Sequence, residues 1–219
     1  MTTTHSQTKA EDQAVEHPLD PLTSEEIEVT TKILERDKDL HDDFTFHSYS
    51  QIEPTKEELK EWGGEPAERD IFAVLRDKKD GKTYEAVVSL EKETVTSWEH
   101  IEDAQPNIPG QEVVEAENAV KESEEFREAA KKRGVENFEL VIVDPWPINA
   151  SEFVPDDIDT DRRLARGLTW VADNKEDNAY AHPIEAVHVW IDLDDMEVVQ
   201  VQDNGVVDED NPLPEEDAN

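Results

Sequence analysis

Apolar residues along this chain gather into short runs of strand length, at residues 44–49, 71–76, 83–90 and 95–99, and again at 139–143, 164–172, 187–193 and 196–202. The run Phe44-Thr45-Phe46-His47-Ser48-Tyr49 alternates large and small side chains at period two. Each set of four is preceded by a helical stretch. In the first, Thr23-Ser24-Glu25-Glu26 has the form of a capping box and predicts a helix over 24–36. Thr55-Lys56-Glu57-Glu58 repeats the device and predicts a short helix ending at Gly63-Gly64. In the second, residues 112–133 read as a helical region stopped by Gly134. Asp80-Gly81 tolerates the positive φ of a tight turn and predicts a hairpin between the second and third strands, and Asp194-Asp195 predicts the last one.

Between the two sets lies Gln105-Pro106-Asn107-Ile108-Pro109-Gly110, where two prolines and a glycine break both periodicities. The pattern therefore predicts two small α+β domains of parallel construction, each a helix packed on an antiparallel sheet. Residues 1–15 read as a disordered leader, and residues 203–219, rich in Asp, Glu and Pro, as an acidic C-terminal stretch.

Composition alters the picture in one respect. Of 219 residues, 57 are acidic and 21 basic, a net charge of 21 − 57 = −36, while the hydrophobic share is only 35%. Such figures alone describe a disordered chain. The gathered apolar runs argue instead for folded domains whose excess carboxylates lie on solvated faces, the composition of a protein adapted to a high-salt cytoplasm. With so few cations to meet phosphates, a nucleic-acid partner is disfavoured. Residues 1–16 have no apolar core of the signal-peptide kind, and no run approaches the roughly 20 apolar residues that span a bilayer, so no membrane partner and a cytoplasmic location are expected.

Candidate chemistry is sparse. Cysteine is absent, which removes disulfides, thiolate metal sites and thiol nucleophiles. His41 with His47, and His182 with His188, are six positions apart; on a strand that is roughly 20 Å, too far for one ion, so they read as structural or surface histidines. The clusters Asp156-Asp157-Asp159-Asp161 and Asp208-Glu209-Asp210 lack the glycine and closing glutamate of a calcium loop. No nucleophile elbow and no phosphate-binding glycine loop occur. Of the five tryptophans, Trp98, Trp170 and Trp190 sit within strands and read as core. Trp146 follows Pro145, and is expected to leave the sheet and present its indole from a loop.

Three segments resemble one enzyme family in the same order. They are Thr83-Tyr84-Glu85-Ala86-Val87-Val88-Ser89-Leu90 closing at Ser97-Trp98-Glu99-His100-Ile101, then Val143-Asp144-Pro145-Trp146, then Asp177-Asn178-Ala179-Tyr180-Ala181-His182-Pro183-Ile184-Glu185. The family is the copper-containing, topaquinone-dependent primary amine oxidases, and the likeness runs from about His17 to about Pro214, over what are there two small, cystatin-like domains preceding the catalytic region. It implies domains at 16–104 and 105–214, with an acidic tail at 215–219. It further implies that the second domain lines the amine channel, with Pro145, Trp146 and Tyr180 as substrate-access residues. Copper and topaquinone belong to the complete enzyme, expected to be a homodimer that oxidises primary amines. This chain has no His-x-His pair, and none of Tyr49, Tyr84 and Tyr180 lies in an Asn-Tyr-Asp/Glu-Tyr motif. The expectation is therefore a non-catalytic portion that binds neither cofactor, is inactive in isolation, and takes the catalytic domain as its partner. The alternative is a free-standing interaction or dimerisation module.

Overall fold

The computed structural model describes residues 17–64, 69–148 and 154–206; the expected leader, the tail at 215–219 and the cluster at Asp208 lie outside them. The chain divides into two compact units between Pro106 and Asn107. Each holds one four-stranded antiparallel sheet with helices packed on it, an α+β fold of two small domains. Among the described residues no helix is long and apolar enough to cross a membrane.

In the first unit, α1 (Ser24–Lys38) begins at the Thr23 box, where the Glu26 carboxylate accepts from Thr23 N–H at 2.8 Å and Thr23 Oγ1 accepts from Glu26 N–H at 3.2 Å. It ends at Asp39, whose φ of 51° is left-handed. The sheet runs in order from β1 (Phe44–Gln51) through β2 (Asp70–Asp77) and β3 (Lys82–Ser89) to β4 (Thr94–Ile101). Ile33 and Leu34 of α1 close over Ala73, Leu75, Ala86 and Val88 of the central strands. The β2–β3 turn is braced by Asp77, whose Oδ1 accepts from the N–H groups of Lys79 and Asp80, and Gly81 supplies the left-handed residue at φ +64°. Trp98, expected in the core, is only half-buried and stacks on Tyr84 at 4.7 Å. The small helix α2 (Lys56–Glu61), capped by Thr55, buries no side chain.

The helical region of the second unit is divided. The helical region expected over 112–133 consists of two helices, α3 (Gly110–Glu122) and α4 (Glu124–Lys131). Ser123 adopts an extended ψ of 120° between them, and its Oγ accepts from Phe126 N–H at 3.3 Å, so one residue ends α3 and caps α4. The bend turns Phe126, Ala129 and Ala130 into the core. A 3-10 turn, Phe138–Leu140, replaces the start of the expected strand, and β5 is Val141–Pro147. With β6 (Leu164–Val171), β7 (Val187–Asp192) and β8 (Glu197–Asp203) it forms the sheet in sequence order. Trp190 is buried as expected, at 2% exposure, with its Nε1–H donated to Gln202.

Both units carry the same polar pin. An arginine just before the second strand of each sheet, Arg69 or Arg163, reaches a glutamate in the first turn of the long helix, Glu26 or Glu112. It also donates to an upstream backbone carbonyl, through Nη1 to Asp20 for Arg69 and through Nη2 to Asn107 for Arg163. Its own carbonyl accepts from the leucine after the third strand, Leu90 at 3.3 Å or Leu193 at 2.8 Å. One arginine thus ties helix start, incoming loop and two strand ends together, through its guanidinium and its backbone carbonyl, in both units.

The centre of the second sheet is tight at Gly167. A Cβ placed there would stand 3.2 Å from both Ile191 Cδ1 and Val143 Cγ1. Gly167→Ala is therefore expected to cost about 1–3 kcal/mol through overpacking, read as a fall in urea midpoint; an unchanged midpoint would show that the two side chains rotate away freely.

Candidate functional site

Pro145 and Trp146 do not leave the sheet. Both lie within β5, paired with Gly167 and Arg166 of β6. The physical reason is position: β5 is an edge strand with one neighbour, so the missing N–H of Pro145 breaks no inner ladder. On the open side, Glu117 of α3 accepts from Val143 N–H at 3.0 Å. Between them a glutamate and a proline remove two outward donors from the free edge, which blunts pairing by another strand.

Alternation along β5 turns Val141 and Val143 inward and leaves Asp144 partly exposed and Trp146 60% exposed. Tyr180, 55% exposed, comes from the β6–β7 loop on a 3-10 turn, Ala179–Ala181, capped by the Asn178 side chain, which accepts from Tyr180 N–H at 3.2 Å. Its hydroxyl donates to the Asp144 carboxylate, at 3.2 and 3.3 Å from the two oxygens, and its ring meets Trp170 edge-on at 5.0 Å. The Asp144 charge pushes the Tyr180 phenol above its ordinary pKa, which keeps it a neutral donor. Further along β6, Arg166 Nη2 stands 2.7 Å from His188 Nδ1, and burial followed by the Arg166 charge lowers the His188 pKa.

Of the residues singled out from sequence, Tyr180 is thus joined to the β5 strand that carries Pro145 and Trp146, with Asp144 as the link. Asp144 and Trp170 are the members that sequence reasoning missed. Asp144 was legible as the residue two before Trp146 on one strand face; Trp170, expected in the core, is half-buried and forms the wall behind Tyr180. The arrangement offers aromatic surface beside one carboxylate, suited to a cation with an apolar body.

Among the described residues the only convergent group of three metal-ligating side chains is Asp173, Asp177 and His182, which contains one histidine. His41 pairs toward Asp77, His47 toward Thr45 and His188 toward Arg166. Tyr49 is bonded to Thr31 at 2.6 Å, and Tyr84 is stacked between β3 and β4 on Trp98. These residues do not assemble a three-histidine copper site beside a tyrosine.

Comparison with known proteins identifies the two domains. Residues 111–219 match the family described as copper amine oxidase, N3 domain, and residues 23–98 match the AGAO-like N2 domain. The chain is 37% identical over 201 residues to a primary amine oxidase of Arthrobacter sp. (strain P1), covering 91% of this chain and 30% of that enzyme. It is 28% identical over 204 residues to a primary amine oxidase of Klebsiella aerogenes, covering 91% of this chain and 26% of the relative. A copper-containing benzylamine oxidase from Hansenula polymorpha shares the fold, with a TM-score of 0.66 at 18% identity over 88% of this chain and 31% of that one. The chain thus spans less than a third of the length of each of these relatives. It carries the two N-terminal domains of the copper amine oxidases, an N2-type domain followed by an N3 domain, and is homologous to primary amine oxidases.

Proposed function

We propose that this chain is the N-terminal, non-catalytic portion of a primary-amine oxidase, an enzyme that converts R-CH2-NH2, O2 and H2O to aldehyde, NH3 and H2O2. Copper and topaquinone belong to the rest of that enzyme, and the complete protein is a homodimer. The two domains support the catalytic domain, and the second contributes Pro145, Trp146 and Tyr180 to the wall of the amine path. The observation that carries the reading is homology over 91% of this chain to only 30% of an amine oxidase, at its N-terminal domains. The exposed Trp146, with Tyr180 bonded to Asp144, supplies the chemistry such a path needs. An aromatic face passes an apolar tail, and the carboxylate and ring quadrupoles attract an ammonium before it loses its proton.

Trp146→Ala in the complete enzyme is expected to shift kcat/KM for bulky aromatic amines relative to methylamine by about two- to tenfold, the range of one aromatic–aromatic contact. Steady-state kinetics across a series of amines of increasing size checks it. Ratios unchanged along the series would remove Trp146 from the path.

A further inference from the structure

The β6–β7 loop carries a second feature that the amine path does not use. Asp173, Asp177 and His182 each offer one ligand atom, and the three atoms lie within 4.8 Å of one another. His182 Nε2 and Asp177 Oδ2 are 3.1 Å apart. Two ligands bound at about 2.0–2.2 Å and at the tetrahedral angle stand roughly 3.3 Å from each other, so this pair already has the spacing of atoms sharing one ion. From sequence, His182 was paired with His188, a partner out of reach; folding gives it two carboxylates of its own loop instead.

The donors are held by contacts outside the group. Val171 N–H donates to His182 O and Ile184 N–H to Thr169 O, both at 3.0 Å, and Pro183 bridges to Trp170, so the His182 backbone is laid along the end of β6. Asp177 N–H donates to Asn174 O at 3.2 Å, which closes the turn beneath the carboxylate. Asp173 N–H donates to Asp177 Oδ2 at 3.0 Å, which fixes the orientation of that carboxylate. Asp177 and His182 are partly buried and Asp173 is exposed, which leaves one open side for water ligands.

We infer that Asp173, Asp177 and His182 bind one divalent transition-metal ion of the zinc class, with water completing its coordination, and that the ion fixes the loop bearing Tyr180. The imidazole nitrogen separates this group from the all-oxygen acidic surface around it. Magnesium and calcium favour oxygen ligands alone, whereas a mixed nitrogen and carboxylate set suits zinc and its neighbours. A chain of net charge −36 also raises the local concentration of any cation. The inference stands apart from the oxidase reading, since it concerns metal uptake by the chain and not amine oxidation.

The test is calorimetric titration of the chelator-treated chain with zinc chloride and, separately, calcium chloride, in molar potassium chloride to suppress loose counterion binding. The expected result is one saturable zinc per chain, weakened at least tenfold in His182→Gln and in Asp177→Asn and unchanged in Asp156→Asn/Asp157→Asn. Circular dichroism confirms that each variant is folded. Zinc should also slow amide hydrogen exchange across residues 173–182 in the parent chain and not in His182→Gln. No saturable uptake, equal uptake by the parent and both loop variants, or calcium binding as tight as zinc would overturn the assignment. Unaltered exchange would overturn the fixing of the loop.

Discussion

Glu112→Ala is expected to destabilise the second unit by about 3–5 kcal/mol, because it removes the partner of a charge that water cannot reach. The Arg163 side chain is 0% exposed and that of Glu112 is 7% exposed. Nη1 and Nη2 donate to the two carboxylate oxygens at 3.1 and 2.9 Å, and Nη2 also reaches Asn107 O at 3.2 Å. Asp194, at 3.9 Å, is too distant to replace the lost fork. The large loss reflects an orphaned guanidinium, not the net worth of the pair. The double variant Glu112→Leu/Arg163→Met, which removes both charges, should therefore recover most of the stability. Urea unfolding followed by NMR signals of the second unit checks both. A cost below about 1 kcal/mol for the single variant would mean that the pin does not hold the α3 start to the sheet. Glu26→Ala, at the slightly more exposed counterpart, should behave the same way with a smaller effect.

The second large effect concerns salt. Transfer from molar to about 10 mM potassium chloride extends the Debye length from roughly 3 Å to roughly 30 Å. At the longer range the net charge of −36 repels across each whole unit. The expected result is loss of cooperative thermal unfolding at low salt and its return at high salt, read by circular dichroism. Local pairing does not offset repulsion on this scale. Asp37, held at a pKa of about 2 first by its bond from Arg36, lies on a solvated surface where one ion pair contributes little. Equal melting temperatures at both salt concentrations would dispose of the proposal that the acidic surface is an adaptation to high salt.

Much of the fold was legible because its signals are local. Thr23 and Glu26, or Thr55 and Glu58, lie within one helical turn, so their capping boxes form wherever the chain can start a helix. The strands were legible through their apolar runs. The helical region over 112–133 was legible, but its division at Ser123 was not, because Ser123 reads equally as a tolerated helix residue or a cap. Burying Phe126 decides for the cap, and that gain appears only when the sheet is present. The loop expected for Trp146 failed for a related reason. Proline is excluded from a central strand and allowed at an edge, and which strand lies at the edge is a property of the assembled sheet.

The candidate site divides along the same line. By itself the sequence determined the two-domain α+β plan, the acidic composition and the resemblance to amine oxidases, since each rests on residue identity or short-range period, and the proposal of Pro145, Trp146 and Tyr180 follows from that resemblance. Only the tertiary structure decided that Tyr180 hydrogen-bonds Asp144 across 36 positions, that Arg163 and Glu112 meet across 51, and that His182 faces two aspartates and not His188. The first two contacts join elements whose distance in the chain carries no period, and the third depends on the fold of one loop against the end of β6. They exist because sheet register and helix packing bring the elements together.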